Sequence, residues 1–149
     1  MIQRKQTVFL LLAFVAIVAC LCLPIGHVSG EAMGASFVWY NLGFSAGNSF
    51  ELSPLPFAVL VIVGALAVVD IFLFNKRRMQ GRICLLCVLL CLVWYAIYAF
   101  YAAGKLSSMG DFHMDFVACL PFVAAMFMLM ARRGIKADED LIKSMDRIR

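Results

Sequence analysis

Four long apolar runs, at about 6–25, 55–74, 83–103 and 112–130, divide the chain and confine most polar residues to the connections between them. Each is close to the roughly 20 residues a helix needs to cross about 30 Å of hydrocarbon, so the pattern predicts four transmembrane helices. The predicted fold class is all-α. It is an integral-membrane four-helix antiparallel bundle, a single domain over 1–149, with a small outer loop and a C-terminal amphipathic helix. Pro24 and Gly26 close the first run, and Pro54 and Pro56 open the second, where a missing N–H costs little because first-turn donors are unpaired anyway. Gly64, Ala65 and Ala67 offer a small surface for close approach of another helix. The connection 75–82 is so tight that the second and third helices must form a hairpin. In the fourth run Asp111 is the expected N-cap, and Pro121 removes a backbone donor and predicts a kink.

The connection from Gly26 to Ser53 holds two acids, Glu31 and Glu51, and no Lys or Arg. Its stretch from Ala35 to Phe44 is rich in aromatic and β-branched residues and is followed by Gly47-Asn48, which predicts a short strand or hairpin. The rings of that stretch are expected at the headgroup level, where amphipathic aromatics anchor. In the tail 131–149, Leu141, Ile142, Met145 and Ile148 recur at helical spacing. Asp138, Glu139 and Asp140 precede Lys143, Arg147 and Arg149, an order that suits the helix dipole, and Glu139 with Lys143 adds an i,i+4 pair. The tail is therefore predicted to be a short separate helix lying on the inner leaflet or across the bundle's inner mouth.

Composition agrees with a lipid environment. Hydrophobic residues make up 64% of the chain, against roughly 45 to 50% in an ordinary soluble domain. Twelve of the thirteen Lys and Arg lie before the first run, between the second and third, or after the fourth, and only Lys105 lies elsewhere. Short cytoplasmic loops retain positive charge, so both termini are expected in the cytoplasm and the protein in the bacterial inner membrane. The net charge of +4 then reads as topology and contact with anionic lipids at the cytoplasmic face rather than as a nucleic-acid surface. A cleaved lipoprotein signal at Ile17-Val18-Ala19-Cys20 is disfavoured by the apolar continuation through Leu21 to Ile25.

Candidate chemistry centres on the third run. Cys84, Cys87, Cys91, Trp94, Tyr98 and Tyr101 follow one another at intervals of three and four, while Leu85, Leu86, Leu89, Leu92 and Val93 occupy the other side. The first set is expected to face the other helices and the second to face lipid. Cys84 and Cys87 also have the spacing of a redox pair, but the predicted topology places them at the cytoplasmic end, away from where quinone-linked export of disulfides is carried out. Cys20, Cys22 and Cys119 lie nearer the outer face. Asp70 is the only acid well inside a run, Asp115 lying at the very start of the fourth, and an intramembrane carboxylate is costly enough to be a candidate site by default. An interfacial ion pair with Lys76, Arg77, Arg78 or Arg82, or with Arg4 or Lys5, is the expected arrangement, with a proton relay as its alternative. Asp111, His113, Asp115, His27 and Glu31 share the outer side, but a metal needs three or four convergent ligands. On a helix, His113 would point away from the face of Asp111 and Asp115. Met126, Met128 and Met130 are expected to serve packing.

The start Met1 to Thr7, the inner loop Asn75 to Cys84 and the ending Arg133 to Arg149 together resemble a family of four-span membrane proteins of Bacteroidota grouped as a domain of unknown function, DUF family 4293. The resemblance covers the whole chain, and the charged tail is its most specific part. It departs at Met145 and Ile148, where a small residue and a leucine are expected. Membership implies four helices, an inner-membrane location and no assigned activity, substrate or cofactor. No catalytic, cofactor-binding or metal residue is assigned; Asp70, Cys84, Cys87 and Cys91 are the candidate site residues. The expected role is an accessory or scaffold subunit that makes helix and lipid contacts, with a membrane-protein partner or a second copy of itself. The alternatives are a thiol-disulfide oxidoreductase that uses a quinone and a small ion-coupled transporter.

Overall fold

The computed structural model describes residues 3–29, 36–46, 49–73, 76–106 and 111–146. Four long helices, α1 (Gln3–Cys22), α2 (Pro54–Phe72), α3 (Arg77–Tyr101) and α4 (Leu120–Asp146), pack in a ring in which α1 touches α2 and α4, and α3 touches the same two. One spacing explains the ring. The buried seam is Gln6, Leu10, Ala13, Ile17 and Cys20 on α1, with Ala16 buried beside it, and Pro56, Leu60, Val63, Ala67 and Asp70 on α2, with Gly64 buried beside it. On α3 it is Gln80, Cys84, Cys87, Cys91, Trp94 and Tyr98, and on α4 Ala124, Met128, Ala131, Ile135 and Asp138. Every series alternates steps of four and three, the heptad spacing that keeps one seam of each helix against its neighbours. Small side chains on α1 and α4 admit the larger rings of α3. Gly64 faces Ile17 and Phe14 of α1, the close approach expected of that stretch.

At one end of the ring the chain is not helical. Five short strands, β1 (Gly26–Ser29), β2 (Ser36–Tyr40), β3 (Gly43–Ala46), β4 (Ser49–Leu52) and β5 (Asp111–Met114), form an antiparallel sheet in the order β4-β3-β2-β1-β5. The protein is thus mostly helical but not all-α. Strand β2 turns into β3 through Asn41-Leu42, with Tyr40 paired to Gly43. The strands approach so closely there that a Cβ on Gly43 would collide with the carbonyl oxygen of Glu51, so the turn needs glycine for space. β1 and β5 pair through Gly26 with Met114 and His27 with His113, joining the two connections at this end into one layer.

Four sequence expectations are corrected here. Residues 112–114 are strand rather than the start of a helix. A 3₁₀ turn, Phe116–Cys119, follows them, and Asp111 caps nothing. Pro121 is the second residue of α4, where its absent donor breaks no hydrogen bond, so it initiates the helix instead of kinking it. The tail is not a separate element: α4 continues through Arg132, Arg133 and Gly134 to Asp146. At about 1.5 Å per residue its 27 residues span roughly 40 Å. Gly134 is tolerated because Gln6 lies against it, with its Cγ only 3.1 Å from where a Cβ would be. Finally, the rings of the connection 26–53 do not all face outward from the protein, since Trp39 is fully buried under the sheet.

Candidate functional site

Polar side chains close the bundle at both ends, by different means. At the end away from the sheet each of the four seams terminates in a polar residue: Gln6, Asp70, Gln80 and Asp138, all buried. Gln6 Nε2 donates to Asp138 Oδ2 at 2.7 Å, tying α1 to α4. Gln80 Nε2 donates to the Asp70 carbonyl at 3.2 Å, and the Cys84 thiol donates to Asp70 Oδ2 at 2.9 Å, tying α2 to α3. On the rim, Arg78 Nε donates to Glu139 Oε1 at 3.0 Å, an exposed pair worth at most about 1 kcal/mol.

The ion pair expected for Asp70 does not form among the described residues. The heptad step from Ala67 turns its side chain inward to Cys84, away from the cations of the connection, and Oδ1 is buried without a hydrogen-bond partner. A thiol is a weak donor and an orphaned buried oxygen carries its full desolvation cost. Asp70→Leu is therefore expected to raise stability by about 1 kcal/mol, read as a higher midpoint in thermal unfolding of the detergent-solubilised protein. A clear fall would show that the carboxylate has a stabilising partner.

At the sheet end, Asn41 does most of the joining. It sits in the β2–β3 turn with no exposure. Its Nδ2 donates to the Cys20 carbonyl at 2.6 Å, and its Oδ1 accepts from Trp94 Nε1 at 3.0 Å. The Cys20 carbonyl is one of the last four of α1, which have no partner within their own helix, so Asn41 caps α1 while holding α3. Beside it a column of rings runs Phe44, Trp39, Tyr98, Trp94, with successive centroids 5.4, 4.7 and 5.2 Å apart. Tyr98 Oη donates to the Ile25 carbonyl at 3.1 Å, and Tyr95 Oη to that of Ala118 at 2.7 Å. His27 Nδ1 lies 2.6 Å from Asp115 Oδ2, linking β1 to the start of the 3₁₀ turn. His27 faces His113 across the strand pair, a placement that a helical reading of 112–130 excluded. No group of three or more His, Cys, Asp or Glu among the described residues could hold a metal.

Of the candidate residues, the structure brings Asp70 and Cys84 into contact and places Cys87 and Cys91 further along the same buried stripe. All three cysteines are free thiols. The stripe faces inward as expected, and Leu85, Leu86, Leu89, Leu92 and Val93 are exposed. Sequence alone does not single out Gln6, Gln80, Asn41 or Trp39, and marks Asp138 only as a first-turn acid of the tail. Gln80 had a usable signal, being four residues before Cys84 and so in phase with the stripe. Asn41 had none.

The chain is mostly helical, and among the described residues three helices, at Pro54–Phe72, Arg78–Gly104 and Phe116–Ile142, are long and apolar enough to cross a membrane, which by length and composition is compatible with a membrane protein. The apolar part of α1, Gln6–Cys22, is shorter. The family model described as domain of unknown function (DUF4293) matches residues 2–148, and the chain belongs to that family. No curated protein matches it.

Proposed function

We propose that this chain is a multi-pass protein of the bacterial inner membrane, crossing it with all four helices, and that it serves as an accessory or scaffold subunit through helix and lipid contacts. One observation carries the reading: the ring's interior is lined by its own heptad side chains, while its outer surface is apolar. Leu11, Val15, Ile62, Val69, Leu89, Leu92, Met126 and Met130 are all exposed on it. In water such a surface would be a liability, and in lipid it has no cost. The apolar part of α1, Gln6–Cys22, makes about 25 Å of helix, at the short end of what spans a bilayer, and local thinning accommodates the shortfall of a few Å at modest cost. The buried polar groups support a structural role, since Gln6, Asn41, Gln80 and Asp138 are engaged in joining one element to another. The clustered cations of 76–82 and 132–136 orient the bundle with both termini in the cytoplasm and the sheet outside.

The test combines topology and company. Green fluorescent protein fused after residue 78 or at the C-terminus is expected to fluoresce, and alkaline phosphatase fused at Ser45 to be active. Crosslinking at α4 before purification in mild detergent is expected to trap a second membrane protein or a second copy. Inverted fusions would overturn the orientation, and a strictly monomeric, partnerless protein the scaffold role.

A further inference from the structure

At the cytoplasmic end of the proposed topology, the turn between α2 and α3 leaves a groove lined by Phe72, Leu73, Lys76 and Met79. Its floor is apolar and open: Phe72 is 73% exposed and Met79 48%. Lys76, also exposed, stands on its rim. We propose that this groove binds one anionic phospholipid, its phosphate at Lys76 and the upper part of an acyl chain against Phe72, Leu73 and Met79. The inference rests on the membrane reading above and names a lipid site within it.

Charge selects the headgroup. Exposed Lys76, Arg78 and Arg82 surround the turn, and the first turn of α3 contains no acid. Of the acids at this end, Asp70 is turned inward to Cys84, Asp138 accepts from Gln6 and Glu139 accepts from Arg78, while Asp140 is exposed on α4. No acid among the described residues is paired with Lys76, so the groove presents uncompensated positive charge at the level where α2 ends. Size and polarity select the rest. The groove encloses about 230 Å³, room for part of a lipid but not for a partner helix. A free phosphate would leave the apolar floor unused, and a zwitterionic lipid would answer the lysine with its phosphate but bring its own ammonium against the exposed cations of the turn. A cation near an anionic membrane surface contributes a several-fold gain in binding, about fivefold for each Lys or Arg.

The full-length protein in dodecyl maltoside is titrated with phosphatidylglycerol or phosphatidylcholine, and the lipid retained is read by native mass spectrometry. Phosphatidylglycerol is expected to be retained preferentially. Lys76→Ala is expected to reduce that retention about fivefold, Phe72→Ser to reduce it for both lipids, and Lys136→Ala, an equally exposed cation on α4, to leave it unchanged. Both main substitutions are at exposed positions, and a circular-dichroism spectrum matching the parent checks that each variant is folded. Equal retention of the two lipids, equal effects of Lys76→Ala and Lys136→Ala, or displacement by millimolar inorganic phosphate would overturn the proposal while leaving the membrane reading intact. A protein that stays monodisperse without detergent and retains neither lipid would overturn both.

Discussion

Trp39→Ala is expected to destabilise the folded protein by about 3–5 kcal/mol, the range for removing a large ring from a packed core. The ring is fully buried and is the centre of the aromatic cluster. It stacks on Phe44 of β3 with planes 16° apart and on Tyr98 of α3 with planes 10° apart, and meets the edge of Phe112 of β5 at 6.0 Å. One side chain from β2 thereby joins two other strands and a helix. Its loss removes the main apolar contact between the sheet and the ring of helices, not merely one residue's packing. Trp39→Phe provides the contrast. It keeps an aromatic ring in the stack and deletes Nε1, which is buried without a hydrogen-bond partner, so its cost is expected to stay below about 1.5 kcal/mol. Equilibrium unfolding in detergent, followed by far-ultraviolet circular dichroism, separates the two. If Trp39→Ala costs no more than Trp39→Phe, the sheet is held by its strand pairing and the aromatic column is incidental.

The parts of the architecture that could be read from sequence are those set by spacing within one element. The stripe from Cys84 to Tyr98 is apparent because polar-tending and aliphatic side chains separate cleanly on α3. The same heptad on α1 and α2 is hidden, since nearly every residue there is apolar and the inward seam differs from the outward faces only in size. What joins distant segments leaves no periodic trace. Ser29 Oγ donates to the Asp111 carbonyl across 82 positions of sequence, and neither four-residue strand has enough β-branched residues to declare itself. Residues 112–114 merged with the apolar run that follows, which turned a strand into a helix start and dissociated His113 from His27. Asp70 illustrates the opposite case. The nearest charged residues in sequence are the cations from Lys76 onward, yet the step of three from Ala67 places it in the seam, so helical phase rather than local charge decides its partner. The tail was detached from α4 because Arg132-Arg133-Gly134 reads as a boundary. Both arginines are good helix formers, and one glycine costs only about 1 kcal/mol, less than the packing of Ile135 and Asp138 returns.

Asn41→Leu is expected to cost about 2–6 kcal/mol, because it orphans two buried groups at once and each unpaired donor or acceptor costs roughly 1–3 kcal/mol. The two groups require opposite chemistry. Trp94 Nε1 can only donate and the Cys20 carbonyl can only accept, so a carboxamide presenting oxygen to one and nitrogen to the other satisfies both, and this fixes the amide's orientation. Neither Asp nor Leu can replace it: aspartate would set its negative charge against the Cys20 carbonyl, and leucine serves neither group. Leucine keeps asparagine's branched outline and number of side-chain heavy atoms, but its methyls are bulkier than the amide's oxygen and nitrogen and add to the cost. The decisive measurement is a double-mutant cycle with Trp94→Phe, which removes the indole donor while keeping a ring against Tyr98. If the orphaned N–H accounts for part of the loss, Asn41→Leu costs less in the Trp94→Phe background than in the parent, by about 1–3 kcal/mol. The remaining cost belongs to the uncapped end of α1 and is expected to appear as faster amide exchange over residues 19–23, the last turn of that helix. Strict additivity in the cycle would mean that the Asn41 to Trp94 hydrogen bond contributes nothing, and that the Asn41 side chain holds the bundle through Cys20.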